Sequence, residues 1–350
     1  MMDFTLAAWL HDLDPLAFGP IRWYGLSYLA GFAIAWLLIR RVLTVGSTPL
    51  KPVQTSDLVV AVAIGIIVGG RVGYVLFYRP DLMWTFYPGL PFWGVLAINE
   101  GGMASHGGML GGIVASWLFA RRHALPMRHV LDLIVFAGPL GVVFGRIANF
   151  INGELIGRAA PEWLPWAVKF PQEMYDWTRE QWEQAPGALQ ELSIPQIVTQ
   201  VQRGNEHVIA LVEPMLTPRH PSQLYAAVLE GLVVFLVLLW LWRKPRVPGL
   251  VAGVFCITYA AGRIVNEFFR RPDVHIQDAE FAWLAITRGQ LLSLGLLALG
   301  VWLVWWVQRQ KLPAMGGWRR GPWTQTASEL QRQDAKTPSR QVKNKGREAD

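Results

Sequence analysis

Long apolar segments alternate with short polar ones along most of the chain. A helix of about 20 residues crosses a hydrocarbon core of about 30 Å, and seven of the apolar segments are long enough to do so. They lie near residues 21–41, 57–78, 105–121, 129–150, 223–242, 249–269 and 289–309. The pattern therefore predicts an all-α integral membrane protein, a bundle of seven transmembrane helices.

Lysine and arginine cluster in alternate connections between these segments. Cytoplasmic loops of membrane proteins carry an excess of both residues. The clusters are Arg40, Arg41 and Lys51, then Arg121, Arg122 and Arg128, then Arg243, Lys244 and Arg246, and finally the C-terminal region. This distribution predicts that the N-terminus and residues 1–20 lie outside and that the C-terminus is cytoplasmic.

Two regions depart from the overall composition, which is 52% hydrophobic and 16% charged. Residues 152–221 form one long external insertion with nine acidic and five basic residues. Its tryptophans favour packing on the outer membrane surface, and the alternative is a short solvated cap. Residues 311–350 hold nine basic and four acidic residues, which predicts a disordered cytoplasmic tail held near anionic lipid.

The tripeptide Gly-Arg-aliphatic occurs toward the end of three apolar segments, with arginines at 71, 146 and 263. Arg71 follows Asp57 by fourteen residues and Arg146 follows Asp132 by fourteen, a rise of roughly 21 Å along a helix. An arginine within a hydrocarbon layer is costly. Three at matching depth predict a shared internal site that binds an anion.

Other polar residues recur at helical spacing near two of these arginines. In the sixth span, Tyr259, Arg263 and Glu267 fall on one stripe, and a polar stripe in a membrane helix faces protein or water. In the fourth, Arg146 and Asn149 share a face just before Glu154. The alternative to an anion site is a structural ion pair, either Arg146 with Glu267 or Arg263 with Glu154.

Two further side chains, His106 and Cys256, have two interpretations each. His106 opens the third span, where it is either a general base, since histidine titrates near neutrality, or a hydrogen-bonded structural residue. Cys256, the only cysteine, is either a small apolar residue or a reactive thiol. Glu230 follows the segment 220–225, which can be read simply as a helix cap. Motifs for zinc, nucleotide or serine-hydrolase chemistry are absent from the sequence.

Several segments in order closely resemble the bacterial prolipoprotein diacylglyceryl transferase family. They are Arg22-Trp-Tyr-Gly25, Gly70-Arg-Val-Gly-Tyr74, Ser105-His-Gly-Gly, Gly145-Arg-Ile-Ala-Asn-Phe-Ile-Asn-Gly-Glu154, His220-Pro-Ser-Gln-Leu-Tyr225 and Gly262-Arg-Ile-Val-Asn-Glu-Phe-Phe-Arg-Arg-Pro272. The resemblance extends from about residue 20 to 310 and marks residues 21–310 as a catalytic membrane domain.

The resemblance implies an enzyme of the bacterial inner membrane. It would move the diacylglyceryl group of phosphatidylglycerol to the lipobox cysteine of a preprolipoprotein signal peptide, leaving a thioether and glycerol phosphate. The expected partners are these two substrates and the lipid bilayer, with no nucleic acid, metal or cofactor.

The resemblance, together with the depth of Arg71 and the titration range of histidine, gives the expected site residues. His106, Arg146 and Arg263 are the expected catalytic residues, with Glu154 or Glu267 competing with His106 for the role of base. The expected substrate-binding residues are Tyr24, Arg71, Arg146, Asn149, Glu154, Gly157, Tyr259 and Glu267. The rival interpretation is a transporter or flippase for an anionic solute or lipid, which also places arginines inside a bundle.

Overall fold

The computed structural model describes residues 8–19, 21–98, 101–161, 163–271 and 287–318. Long helices dominate these residues. They are α1 (Trp23–Val45), α2 (Gln54–Phe77), α3 (Ser105–Arg122), α4 (Met127–Ile151), a broken helix over Ser222–Leu241, α11 (Leu250–Glu267) and α12 (Arg288–Gln308). The broken helix consists of α9 (Ser222–Ala226), a wider π-helical turn (Ala227–Leu232) and α10 (Val233–Leu241). The predicted helical character of the chain is confirmed.

Six helices of the described chain are long and apolar enough to cross a membrane. The segment predicted as the remaining span, 105–121, is also a helix, α3, but it falls outside this group. Its four glycines and the two arginines at its end lower its mean hydropathy. The fold is therefore that of a helical membrane protein, and the crossing by α3 remains a prediction.

Glycines bring α2 and α3 into close contact. A Cβ atom at Gly69 would lie 2.4 Å from the carbonyl oxygen of Gly107, and one at Gly111 would lie 2.0 Å from that of Gly65. Small residues at four-residue spacing allow such close approach of membrane helices. Gly107 and Gly111 are therefore the points at which α3 lies against α2.

The main core lies between α1, α2, α4, α10 and α11. Its fully buried side chains include Leu58, Leu133, Phe136 and Leu238. Because α1 packs on α4 and α11 packs on α12, the helices around this core form one continuous bundle. Successive long helices run in opposite directions, so α4 and α11 are parallel to one another.

The insertion (residues 152–221) folds around a small core of its own, and the end of the bundle from which it extends is called the insertion end. Four short helices form it: α5 (Arg179–Glu183), α6 (Gly187–Gln190), α7 (Ile194–Gln202) and α8 (Glu206–Val212). Leu189, Ile197 and Val212 are fully buried among them. The insertion is therefore a folded unit with a buried core of its own.

Short strands, which the sequence pattern did not predict, join the N-terminal segment to the insertion. Strand β1 (Trp9–Leu10) pairs in parallel with β4 (Val168–Lys169), which pairs antiparallel with β5 (Pro218–Arg219). Strands β2 (Leu16–Phe18) and β3 (Ile21–Arg22) form a hairpin before α1. Of the predicted N-terminal segment, residues 1–7 and 20 lie outside the described part.

The opposite end of the bundle, called the tail end, is crossed by residues 311–318. Ser47 pairs with Gly316 and Arg246 with Met315, and Trp318 packs on the main core. The beginning of the tail predicted over 311–350 is therefore held against the bundle. Residues 319–350, where disorder was also predicted, lie outside the described part.

Candidate active site at the insertion end of the bundle

Arg146 and Arg263 reach the same depth because α4 and α11 are fixed to each other at the tail end. The carboxylate of Asp132 accepts hydrogen bonds from the backbone N–H groups of Gly249 and Ala252, at 2.7 and 2.8 Å, and so caps the start of α11. Arg146 lies fourteen residues after Asp132, and Arg263 fourteen after Gly249. Equal rises of about 21 Å bring the two guanidinium groups to one level.

The carboxylate of Glu230 lies between these two arginines. Arg146 Nη2 is 2.9 Å from Glu230 Oε2, and Arg263 Nη1 is 3.3 Å from Oε1. Asn266 Nδ2 donates to Oε1 at 3.0 Å, and the Tyr259 hydroxyl donates to Oε2 at 3.5 Å. Glu230 is completely buried. It is therefore the central acceptor of a cluster assembled from α4, α11 and the broken helix.

The π-helical turn places Glu230 in this position. Single π-helical turns within α-helices occur often at functional sites. A Cβ atom at Gly262 would lie 2.5 Å from the carbonyl oxygen of Leu229, and one at Gly231 would lie 3.1 Å from that of Pro139. The first contact leaves room only for glycine, and the second is tight for any larger residue. The glycine of the third Gly-Arg motif thus allows α11 to approach the turn that carries Glu230.

Glu267 extends the cluster to the start of α12. Its Oε2 atom lies 3.1 Å from Arg263 Nη2, one helical turn earlier, and its Oε1 atom accepts a hydrogen bond from the Thr287 hydroxyl at 3.1 Å. The structural ion pairs considered from sequence, Arg146–Glu267 and Arg263–Glu154, are not those formed in the described structure. The pairs are Arg146–Glu230, Arg263–Glu230 and Arg263–Glu267.

Tyr24, Asn149 and Glu154 form a second polar group beside Arg146. The Tyr24 hydroxyl donates to Glu154 Oε2 and accepts a hydrogen bond from Asn149 Nδ2. A tight turn after α4 presents Glu154, with positive φ angles at Gly153 (66°) and Leu155 (54°). The sequence 220–225 fixes this turn and is more than a helix cap.

Two side chains of α9 hold the turn after α4 in place. Gln223 Nε2 donates to the Glu154 carbonyl at 2.6 Å, and the Ser222 hydroxyl donates to the Leu155 carbonyl at 3.0 Å. The neighbouring His220 is partly buried, and burial lowers the pKa of its imidazole from the ordinary value. This side chain therefore favours the neutral form beside the turn.

Gly157 serves as a point of close backbone approach. A Cβ atom there would lie 2.0 Å from the His220 carbonyl oxygen, and the Gly157 carbonyl accepts a hydrogen bond from Arg219 Nη1 at 3.1 Å. Arg219 also pairs with the buried carboxylate of Glu173 in the insertion. Gly157 thus connects the turn that carries Glu154 to the remainder of the insertion.

Arg71 does not join the cluster formed by the other two arginines, so the shared site of three arginines is not present. Its guanidinium is buried and donates to four backbone carbonyls at 2.6–3.2 Å. These carbonyls belong to Gly94, Val95, Gly101 and Gly102. Arg71 therefore holds the connection between α2 and α3, and its expected contact with substrate remains untested.

His106 is exposed in the first turn of α3. The preceding Ala104 donates its backbone N–H to the Gly70 carbonyl at 2.9 Å, which fixes the start of the helix next to α2. Within the described part of the chain, the contacts that hold Glu230 come from α4 and α11 and do not include His106. Its catalytic role remains a prediction.

A cavity of about 500 Å³ opens beside the cluster. Tyr24, Arg146, Asn149 and Tyr259 line its polar end. The remainder extends between α1, α2 and α4 and is apolar, with a lining that includes Phe32, Ile39, Val59, Val62, Ile66 and Ile134. From Tyr24 to Ile39 the wall follows α1 for fifteen residues, roughly 22 Å. The cavity is therefore long, charged at one end and apolar along most of its length.

Sequence reasoning noted Glu230 but gave it no role. A carboxylate within a strongly apolar membrane segment was the available signal, because such residues mark functional or paired sites. The identity of its partners depends on the rotation of three helices about their axes, which the sequence pattern leaves open.

The bundle thus holds an apolar cavity whose polar end is lined by Arg146, an arginine paired with a buried carboxylate, and these are the features of a binding site for an amphiphilic anion. Residues 15–306 match the prolipoprotein diacylglyceryl transferase family. The chain belongs to this family.

Individual proteins of this family are also similar to the chain. Over 89% of its length the chain is 44% identical to the phosphatidylglycerol–prolipoprotein diacylglyceryl transferase of Bdellovibrio bacteriovorus, of which 97% is covered. It is 40% identical to the protein of the same name from Ruegeria pomeroyi, and the match covers 84% of the chain and 95% of the relative. It is also 40% identical to that of Nitrobacter winogradskyi, and this match covers 83% of the chain and 87% of the relative. The relatives therefore match almost throughout their length.

Proposed function

We propose that this protein transfers the diacylglyceryl group of phosphatidylglycerol to the lipobox cysteine of preprolipoproteins. The proposal includes seven membrane crossings with α3 as one of them, an insertion end outside the bacterial inner membrane, and a tail end in the cytoplasm. The excess of lysine and arginine at the tail end supports this orientation.

The shape and polarity of the cavity carry the proposal. A phospholipid has an anionic head and long apolar chains, and the cavity has Arg146, Asn149 and Tyr24 at one end and an apolar channel beyond them. Guanidinium groups bind phosphate with paired hydrogen bonds. The phosphate of phosphatidylglycerol would lie at Arg146, with an acyl chain between α1, α2 and α4.

The chemistry requires one bond to form and one to break. The acceptor thiolate forms a C–S bond with the glyceryl carbon, and the bond from that carbon to the phosphate oxygen breaks. The leaving glycerol phosphate takes the electron pair, so negative charge develops on the phosphate. Arg146 and Arg263 stabilise that charge within a site of low dielectric.

The thiol proton must pass to a base, because a cysteine thiol with a pKa of about 8.5 is mostly protonated at neutral pH. His106 is our candidate. Glu154 is the stronger competitor, since it lies beside the cavity with Tyr24 and Asn149. Glu267 is a weaker one because Arg263 and Thr287 already occupy its carboxylate.

The transporter or flippase hypothesis is not favoured. The relatives carry the names of transferases. A transport path also needs polar groups through the bundle, whereas the described cavity becomes apolar toward the tail end.

Incubation of the purified protein with phosphatidylglycerol and a lipobox peptide tests the proposal. We expect the peptide mass to increase by one diacylglyceryl group and glycerol phosphate to appear in equal amount. A peptide in which serine replaces the lipobox cysteine serves as the control. An unchanged peptide mass with a folded protein would contradict the proposed function.

A further inference from the structure

Glu230 engages both guanidinium groups that are proposed to bind the phosphate. Its two carboxylate oxygens are divided between them, with Oε2 on Arg146 and Oε1 on Arg263. The side chain is fully buried, while those of Arg146 and Arg263 remain 21% and 15% exposed. Glu230 therefore holds both guanidinium groups from the buried side, and Arg146 lines the cavity.

The ion pairs leave the cluster without excess charge. Arg146 and Arg263 contribute two positive charges, and Glu230 and Glu267 contribute two negative ones. Charges at this separation interact strongly where water is excluded. Without Glu230, the pair of guanidinium groups would attract anions far more strongly.

This stronger attraction would affect the substrate and the product differently. A phosphodiester such as phosphatidylglycerol carries one negative charge, whereas a phosphate monoester carries about −1.5 to −2 near neutral pH. An uncompensated arginine pair would therefore retain the released glycerol phosphate more firmly than it binds the substrate. Tight binding of the product slows turnover even when the chemical step is fast.

We propose that Glu230 is a fixed counter-ion that positions Arg146 and Arg263 and weakens the retention of the phosphate product. The inference rests on the proposed function for the identity of the anion. It goes beyond that function by assigning a specific task to a carboxylate that does not line the cavity.

The Glu230→Gln variant tests the inference through binding of glycerol phosphate, which does not require the transfer reaction. Protein in phosphatidylcholine nanodiscs is titrated with glycerol phosphate at pH 7. Loss of the counter-charge should tighten binding by about tenfold or more. In turnover assays, we expect kcat and the KM for phosphatidylglycerol both to fall and product inhibition to increase.

Glu173→Gln is the matched control. Glu173 is also a buried carboxylate paired with an arginine, Arg219, but it lies in the insertion. This variant should lower the thermal midpoint without tightening the binding of glycerol phosphate. Glu230→Asp keeps the charge, so its affinity should remain closer to that of the parent protein.

Equal or weaker binding of glycerol phosphate by folded Glu230→Gln would overturn the inference. If that variant does not fold, the inference is tested on the parent protein instead. If Glu230 acts as a counter-ion, the inhibition constant of glycerol phosphate for the parent enzyme should exceed the KM for phosphatidylglycerol. A lower inhibition constant would also overturn the inference. Failure of the proposed function is distinct, since the parent protein would then leave the lipobox peptide unmodified.

Discussion

The connection between α2 and α3 and the cluster between α4 and α11 contain the same Gly-Arg-aliphatic motif, yet they use its arginine differently. Arg71 is 4% exposed, and backbone carbonyls take up its guanidinium. Arg146 and Arg263 pair with a carboxylate and stay partly exposed, and Arg146 lines the cavity. An arginine in a membrane segment can therefore hold a connection between helices or bind a ligand. The groups that accept its hydrogen bonds determine which of the two roles it has.

The contacts of Arg71 also bear on the start of α3. Arg71 donates to Gly101 and Gly102, shortly before His106. Arg71 thus fixes the start of the helix that carries the candidate base, whereas the cluster is the site at which we propose that the phosphate binds. Separate substitutions of His106, of the arginines of the cluster and of Arg71 distinguish these contributions.

We expect the largest loss from His106→Gln, because glutamine keeps hydrogen bonding but cannot accept the thiol proton. If His106 is the base, the rate of lipidation should fall by about 10²–10⁴. The affinity for phosphatidylglycerol, measured separately in nanodiscs, should remain nearly that of the parent protein. Retention of most activity would move the role of base to Glu154.

Arg146→Lys and Arg263→Lys should each lower the rate by about 10²-fold, because lysine keeps the charge but loses the planar pair of donors. Lipidation of the peptide under saturating phosphatidylglycerol measures the effect. Thermal unfolding of each variant shows whether the bundle has remained intact. Near-normal rates in both folded variants would contradict the role of the guanidinium groups in binding phosphate.

The sequence pattern predicted the long helices well because each depends mainly on its own apolar length. The sixth span, expected over 249–269, is α11 (Leu250–Glu267), and the seventh, expected over 289–309, is α12 (Arg288–Gln308). Strand β1 was missed because it pairs with residues more than 150 positions away. Two-residue strands leave almost no periodic signal in the sequence.

The candidate site was predictable in its composition and only in part in its arrangement. The spacing and the family resemblance together indicated Tyr24, Asn149 and Glu154, and the structure brings these side chains into contact. Equal spacing from an aspartate also suggested that Arg71 lies at the depth of Arg146. Depth alone does not specify a shared site, because rotation of a helix about its axis turns an arginine toward a different neighbour.

Arg71→Lys should lower activity by less than the changes in the cluster, by about tenfold, and act through stability. Lysine cannot satisfy four carbonyls spread around a planar guanidinium, and buried acceptors without donors cost about 1–3 kcal/mol each. The thermal midpoint should fall, while binding of glycerol phosphate should stay unchanged. Weakened binding of that anion with an unchanged thermal midpoint would return Arg71 to the binding site.

The smallest effect is expected from removal of residues 319–350, which follow the segment that crosses the tail end. The site lies at the insertion end, roughly 21 Å along α4 from the level of Asp132, so lipidation should stay within about twofold of the parent rate.

A longer deletion that starts at residue 316 is the matched comparison. It also removes Gly316, which lies against the Trp242 ring, and Trp318, which packs on Phe136. This longer deletion should lower the thermal midpoint, since buried aromatic contacts are lost. A large loss of turnover in the shorter deletion, at equal protein level and unchanged thermal midpoint, would show that a region remote from both sets of arginines takes part in catalysis.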